Sequence, residues 1–197
     1  MINAFNRDLE FQIGALQAIL QQNKLIQQIF DRADQFRMSQ WYLGAGCIAQ
    51  TVWNCLSGQE LTAHISDIDL VYFDAQDCSY EGEHRHINHI EELFKDTPIP
   101  IDIKNQARVH LWYEKHFGYP IKPYQSLEDA INRWPTTATC IGVTYRRNEF
   151  VVYAPYGLND VFGMIVKPNK VQITEEIYLN KVKRWKQCWP QLTIMPW

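Results

Sequence analysis

Asp67 and Asp69 stand on either side of a single isoleucine in the stretch SDIDLVYFD. Residues two apart in a β-strand project from the same face, about 6.5–7 Å from one another, so both carboxylates are expected to point together while Ile68 and Leu70 point into the core. Two like charges held this close favour a cation between them. Carboxylate oxygens are hard ligands, which suit Mg²⁺ or Mn²⁺ better than zinc.

A third carboxylate, Asp102, lies in the segment IPIDIKN. Ile99, Ile101 and Ile103 alternate there with polar residues, the period of a half-buried strand, which places Asp102 on the polar face. If this strand neighbours the first, three carboxylates can hold two ions about 4 Å apart, the arrangement that clamps the attacking and leaving oxygens in phosphoryl or nucleotidyl transfer. Asp102 is then expected to lie nearest the incoming hydroxyl.

Gly44 and Gly46 precede a segment predicted to be helical over about residues 48–56. Small residues at the start of a helix let backbone N–H groups and the helix N-terminus approach a triphosphate. A plain turn into a helix, followed by a solvated acidic strand end, explains the same spacing without any ligand.

Two cations, Lys104 and Arg108, follow Asp102 in the stretch KNQARVH. Cationic side chains that leave an active-site strand are natural contacts for phosphate oxygens, so both are predicted to bind phosphate. The alternative is a structural network that ties the strand to the next helix.

A dinucleotide-binding turn is a rival interpretation of the glycines. Gly44, Gly46 and Ala49 fit G-x-G-x-x-A, and Asp74 closes the apolar run LVYFD as a ribose-binding acid would. Against this interpretation, Asp67 and Asp69 precede the apolar run, and the glycines follow helices rather than opening a βαβ unit.

Composition bounds the class of protein. The 197 residues are 46% hydrophobic and carry a formal charge of −3, so net charge does not indicate nucleic acid as a partner. Five widely spaced cysteines without a C-x-x-C pair argue against a disulfide framework and a structural zinc site. With an N-terminus unlike a signal peptide and no long apolar run, these features predict a cytoplasmic protein without a membrane partner.

Hydrophobic periodicity predicts the elements that must position the carboxylates. The predicted elements are two helices between residues 8 and 38 that meet near Gln22–Asn23, a strand at 41–43, a helix at 48–56, a strand at 68–73, a helix at 84–95, a strand from Ile99, a helix opened by Ser126 with Asp129, a hairpin of 138–145 and 150–153 turned by RRNE, and a last helix capped by Thr174. One domain over residues 1–197 is expected, with N-terminal helices (1–38), a core that carries the carboxylates (39–110) and a C-terminal part (111–197).

The glycine turn, the D-x-D pair and the later carboxylate between isoleucines resemble the signature of the polymerase-beta-like nucleotidyltransferase superfamily. Longer strings, namely SDIDLVYFD, IKNQARVHLWYE, ATCIGVTY, YAPYGLNDVFGMIVKPN and KVKRWKQCWPQL, are similar to those of a bacterial family of small nucleotidyltransferase-like proteins. That resemblance covers residues 41–197 and implies an α/β (α+β) fold, with a mixed sheet flanked by helices, N-terminal helices and a C-terminal extension.

The resemblance also assigns roles. It implies that Asp67, Asp69 and Asp102 are catalytic metal ligands and that Gly44 and Gly46 form the phosphate turn. The superfamily commonly has Ser or Gly after its second glycine, where this chain has Cys47. The expected function is transfer of a nucleoside monophosphate from an NTP to a small-molecule or protein acceptor with Mg²⁺ or Mn²⁺; the alternative is a non-catalytic nucleotide-binding or sensor module of the same fold.

Two further segments carry weaker signals. His84, His86 and His89 could suggest a transition-metal site, although a solvated helix start explains them better. In YAPYGLND, Tyr156 could stack on a base and Asp160 could orient a hydroxyl, whereas a tyrosine packed under a loop is the structural alternative.

Overall fold

The computed structural model describes residues 4–147 and 149–197; residues 1–3 and Asn148, which falls in the predicted hairpin turn, lie outside the described part. The helices are α1 (Leu9–Leu20), α2 (Lys24–Asp31), α3 (Gly46–Ser57), α4 (Tyr80–Leu93), α5 (His110–Phe117), α6 (Leu127–Ile131), α7 (Asn159–Phe162) and α8 (Glu175–Cys188). The strands are β1 (Trp41–Gly44), β2 (Ile68–Tyr72), β3 (Ile101–Asn105), β4 (Gly142–Arg146), β5 (Glu149–Tyr153), β6 (Ile165–Val166) and β7 (Thr193–Ile194).

Five of these strands form a mixed sheet in the order β3-β2-β1-β4-β5. Strands β2 and β3 run parallel, whereas β1 is antiparallel to both β2 and β4, and β4 and β5 form an antiparallel pair. The short strands β6 and β7 pair in parallel as a separate two-stranded sheet. A mixed sheet with helices packed around it confirms the predicted fold class.

Side-chain caps explain where several helices begin. Ser126 caps α6 and Thr174 caps α8, as predicted. The structure adds a cap at Asn23, whose side chain accepts two backbone N–H groups at the start of α2. The prediction for α4 was wrong at its start, because the Ser79 hydroxyl accepts the N–H of Gly82 and opens that helix at Tyr80. The strand predicted from residue 138 begins at Gly142, since 137–139 form a 3₁₀ turn.

One large hydrophobic core joins the N-terminal helices, α3, the sheet and α8. At its centre the ring of Trp53 packs edge-on against Trp185 and Trp189, with centroid distances of 5.3 and 5.4 Å. Helix α8 is anchored in this core, and two of its residues, Ile177 and Lys181, line a cavity together with Asp69. Each described helix is too short or too polar to cross a bilayer.

Candidate active site

Three neighbouring strands bring Gly44, Asp69 and Asp102 into one row across the sheet. Gly44 pairs with Asp69 in the antiparallel register of β1 and β2, and Asp69 pairs with Asp102 in the parallel register of β2 and β3. Paired residues of adjacent strands project to the same face. The flanking Ile68 and Leu70 are 1% and 0% exposed, so these two side chains fill the large core while Asp69 faces the other way.

The carboxylates of Asp67, Asp69 and Asp102 converge. One carboxylate oxygen from each residue lies within 4.8 Å of the others, and within the described part of the chain this is the single group of three or more His, Cys, Asp or Glu ligands so placed. Asp67 is exposed and the other two are partly buried, so the cluster opens to solvent on one side. Hard oxygen donors at this spacing fit Mg²⁺ or Mn²⁺.

Crowding makes the cluster electrostatically unfavourable without a cation. Burial, together with the charges of Asp67 and Asp102, raises the pKa of Asp69 from 3.8 to about 7, although Lys181 and Lys104 oppose the shift. A carboxylate that resists ionisation at neutral pH is expected where like charges meet in a partly desolvated site. A divalent ion would relieve that cost directly.

The glycine turn connects β1 to α3 beside this cluster. A Cβ at Gly44 would lie 2.6 Å from Cη2 of Trp134, so only glycine lets the indole pack here. Ala45 adopts φ 53° and ψ −126°, the geometry of the first central residue in a type II′ turn, which normally favours glycine. Such backbone strain costs about 1–3 kcal/mol and concentrates at functional sites.

Cys47 occupies the first turn of α3 as a buried thiol. Its Sγ donates to the carbonyl oxygen of Gly44 at 3.1 Å, and the residue is 1% exposed. Burial, and secondarily the charge of Asp69, raises the pKa of the Cys47 thiol above its usual range. The side chain therefore closes the turn internally and offers no group to a ligand.

The two predicted phosphate cations differ in their surroundings. Lys104 pairs with Asp102, and the two side chains are 35% and 40% exposed. Arg108 instead pairs with buried Glu83 and donates to the carbonyl oxygen of Cys78 at 3.3 Å. Arg108 thus takes part in a structural network in this structure, and its phosphate-binding role stays a prediction.

A cavity of about 310 Å³ lies beside the carboxylates. Its lining includes Asp69, Asp102, Lys104 and an aromatic wall of Trp112, Tyr113, Phe117, Tyr124 and Trp134. A larger cavity of about 520 Å³ at the opposite end of β2 is lined by Arg37, Asp74 and His86 among others, and by none of the three clustered carboxylates. We therefore place the candidate site in the smaller cavity.

Sequence reasoning missed Lys181, which lines the same cavity from α8. Burial lowers the pKa of Lys181, whereas the charges of Asp69 and Asp67 act in the opposite direction. The available signal was its position four residues after Ile177 and four before Trp185, on the apolar stripe of the helix. A lysine in such a stripe is unusual, because lysine is seldom buried unless its charge is paired.

The histidines of α4 and the carboxylate of Asp160 contact protein groups away from the three clustered carboxylates. His86 packs on Tyr72 with ring centroids 4.7 Å apart, while the Nε2 atom of His89 bonds the carbonyl oxygen of Gln35 at 2.7 Å, so the histidines face different neighbours. The Asp160 carboxylate accepts from Lys167 and from the hydroxyl of Thr137, both at 2.7 Å.

The hydroxyl of Tyr156 donates to the carbonyl oxygen of Asn132 at 3.2 Å, which ties its loop to the end of α6.

The dinucleotide interpretation is wrong, because β1 and β2 on either side of α3 are antiparallel and form no parallel βαβ unit. Asp74 instead accepts the N–H groups of Gln76 and Asp77 in a turn.

The chain matches a protein family described as Nucleotidyltransferase over residues 31–194. This match spans most of the sequence and includes the glycine turn, all three carboxylates and Lys181, so the chain belongs to this nucleotidyltransferase family. A search of curated proteins found no match.

A solved structure supports the same class. Its description states that the NMR structure reveals a CCA-adding enzyme head domain. The present chain is similar to it with a TM-score of 0.74 and 25% sequence identity, over 92% of this chain and 96% of that chain.

Proposed function

We propose that the protein is a metal-dependent nucleotidyltransferase that moves a nucleoside monophosphate from an NTP to a hydroxyl, phosphate or amino group of a small molecule or protein. The observation that carries the proposal is the convergence of Asp67, Asp69 and Asp102, within 4.8 Å, at the edge of a cavity. Family membership supports the reaction class, and the crowded carboxylates support the use of Mg²⁺ or Mn²⁺.

The three carboxylates take different roles in this proposal. Asp67 and Asp69 would hold the cation that accompanies the triphosphate, and Asp102 would be the ligand on the acceptor side. Divalent ions, when bound, stabilise the charge that develops on the attacking and leaving oxygens. When Asp102 takes up this role, Lys104 loses its ion-pair partner and becomes available to a phosphate oxygen.

The cavity beside Asp69 suits the nucleotide. Its aromatic wall offers ring faces on which a base can stack, and the turn at Gly44 and Gly46 brings the uncapped start of α3 to the same row of residues. The strained conformation of Ala45 fits a turn shaped for a ligand. Gly44 and Gly46 are therefore proposed to border the triphosphate.

A second cleft supports a separate acceptor position. This cleft has a volume of about 550 Å³ and contains Tyr80, Arg108 and His116 rather than Asp69. It shares four residues with the nucleotide cavity: Asp102, Lys104, Trp112 and Phe117. Asp102 thus stands between the two openings, as a carboxylate that serves both the transferred group and the attacking group should. We assign the acceptor to this side.

A non-catalytic nucleotide-binding or sensor module of the same fold is the second candidate. The observation in its favour is Cys47, whose buried thiol is bonded to Gly44 where the superfamily commonly has Ser or Gly. Asp102 favours the enzyme, because a protein that only binds nucleotide does not need a third carboxylate.

All five cysteines are free, which is compatible with the reducing cytoplasm proposed as the protein's location.

Thermal unfolding tests the proposal at the level of binding. Mg²⁺ or Mn²⁺ together with an NTP is expected to raise the melting temperature by several degrees, because ligands that bind only the native state stabilise it by mass action. The nucleotide without the ion should give a much smaller shift. No shift with any of the four ribonucleotides at millimolar concentration would contradict both candidate functions.

A further inference from the structure

Lys181 is held by the core while its charge faces the candidate site. It lies on α8 between Tyr178 and Trp185, which are 0% and 2% exposed. Its Nζ atom lies 5.2 Å from the centroid of the Trp185 ring, and its side chain lines the cavity with Asp69. Because Tyr178 and Trp185 are both buried, they hold the methylene stem of Lys181 in place. The ammonium group is therefore positioned at the cavity rather than free to sample solvent.

Lys181 differs from the other cations around this cavity because, among the described residues, it has no anionic partner. Lys104 pairs with Asp102, and Arg133 pairs with Asp129 at 3.0 Å. Among the described residues, Lys181 forms neither an ion pair within 4.0 Å nor a hydrogen bond. A partly desolvated ammonium without an anionic partner is costly, because the Trp185 ring does not balance its charge, which indicates that its partner is an anionic ligand.

The charges near Lys181 indicate what kind of ligand this partner is. Asp69 and Asp67 are the carboxylates whose charges act on Lys181. They are also the pair that the proposed function assigns to the triphosphate cation. Once divalent ions neutralise these carboxylates, the nearby ammonium group requires new negative charge, and the β- and γ-phosphates of an NTP supply it.

We propose that Lys181 binds the non-transferred phosphates of the NTP, so that helix α8 selects a nucleoside triphosphate over a monophosphate. This inference rests on the proposed function and adds to it a ligand contact from the C-terminal helix. Lys181 acts here as a binding residue. The same contact later holds the pyrophosphate that leaves when the bond between the α- and β-phosphates breaks.

Calorimetric titration of Lys181→Met tests the contact. Methionine keeps an apolar stem against Trp185 and removes the charge. Non-hydrolysable NTP analogues with Mg²⁺ should bind the variant about ten- to a hundredfold more weakly, the loss expected for one charge-assisted contact, whereas the corresponding NMP should lose less than about threefold. Lys181→Arg should restore most of the NTP affinity, and Lys183→Met, an exposed position on the same helix, should bind like the wild type.

Each result bears on a different claim. Wild-type affinity for the triphosphate in Lys181→Met, or equal losses for NTP and NMP, would overturn the role of Lys181 while leaving the proposed function intact. Failure of the wild-type protein to bind any Mg²⁺–NTP would overturn the proposed function and this inference together. If methionine prevents folding, Lys181→Gln provides the same comparison with a polar side chain.

Discussion

Two groups of charged residues at the β2–β3 edge of the sheet differ in how their charges are balanced. Glu83 and Arg108 form a buried pair, in which one Glu83 oxygen also accepts the N–H of Asn105 at 2.8 Å and Arg108 also donates to Cys78. Asp67, Asp69 and Asp102 instead crowd three acidic groups beside a cavity, with Lys104 as their one ion-pair partner among the described residues. The charges of the first group are balanced by the protein itself, whereas those of the second are balanced only in part, and the proposed function has a divalent ion balance the rest.

This contrast explains why charge alone does not identify a site. Arg108 and Lys181 are both cations near the carboxylates, and sequence spacing favoured Arg108 because it follows Asp102 closely. In the structure Arg108 pairs with Glu83. Lys181 lines the cavity and forms no ion pair or hydrogen bond in the described part of the chain. The distinction depends on which side chains meet across the fold, and spacing along the chain does not contain it.

The largest expected effect is the loss of turnover in Asp67→Asn. Removing one charge from the cluster should weaken Mn²⁺–NTP binding and lower pyrophosphate release by on the order of 10³-fold, because the ligand to the cation is lost. Electron paramagnetic resonance of Mn²⁺ and a pyrophosphate assay measure the two quantities. Asp96→Asn, at an exposed position away from the cavity, is the matched control and should retain both.

Glu83→Gln tests the satisfied pair and should act on stability. Leaving the buried Arg108 charge without its partner should lower the free energy of unfolding by about 3 kcal/mol. Urea unfolding measures the loss, and Glu92→Gln, which breaks an exposed pair with Lys95, should cost less than about 1 kcal/mol. Equal losses in the two variants would show that the Glu83 pair is no more important than a surface pair.

Gly44→Ala probes the turn between β1 and α3, beside the acidic cluster. The added methyl group would meet Trp134 at 2.6 Å, so we expect a loss of about 1–3 kcal/mol in urea unfolding and weaker Mg²⁺–NTP binding. Gly14→Ala is the control, since nothing lies within 4 Å of its added Cβ. That exposed helical substitution should instead raise stability by about 0.5–1 kcal/mol, and a loss there would undermine the steric explanation.

The smallest effect concerns the pH dependence of the metal-free protein. The folded-state pKa of Asp69 is raised from 3.8 to about 7, so its contribution favours folding at low pH and is lost as the pH rises from about 4 to 7. Asp69→Asn should therefore melt a few degrees above the wild type at pH 8 in the presence of a chelator.

The difference in melting temperature between Asp69→Asn and the wild type should shrink as the pH falls toward 4. Mg²⁺–NTP should reverse it, so that the wild type melts at the higher temperature. Melting curves across this pH range provide the check. An advantage that does not change with pH would show that the Asp69 charge does not strain the metal-free fold.

Sequence predicted the local features well because they depend on short periods. Alternation around Ile68 and around Asp102 located the strands, and the side chains of Ser126 and Thr174 marked helix starts. The pairing of Asp69 with Asp102 could only be a hypothesis, since strand register is set by contacts between distant segments. The parallel pair β6–β7, with strands of two residues each, left no periodic signal and was missed.

Helix α5 was also missed, because the residues HLWYEKHF lack an apolar stripe long enough to identify. Lys181 lies 79 positions after Asp102, and only the packing of α8 into the core brings it to the cavity. The strain at Ala45 is likewise invisible in sequence, because alanine ordinarily reports nothing about a positive φ. Residues that line the cavity from a distant helix are therefore the part of this candidate site that the structure adds.

The most direct test of the two-cation account is Asp102→Asn measured for binding and turnover in parallel. If Asp102 acts on the acceptor side, its contribution appears mainly in the transition state, so the variant should keep its Mg²⁺–NTP affinity within a few-fold while pyrophosphate release falls by orders of magnitude. The assay follows each NTP in the presence of cell-extract metabolites or proteins, beside calorimetric titration of the same preparations. Wild-type turnover that survives Asp102→Asn unchanged would contradict the assignment of the third carboxylate, and an effect confined to affinity in a protein without turnover would identify a binding module instead.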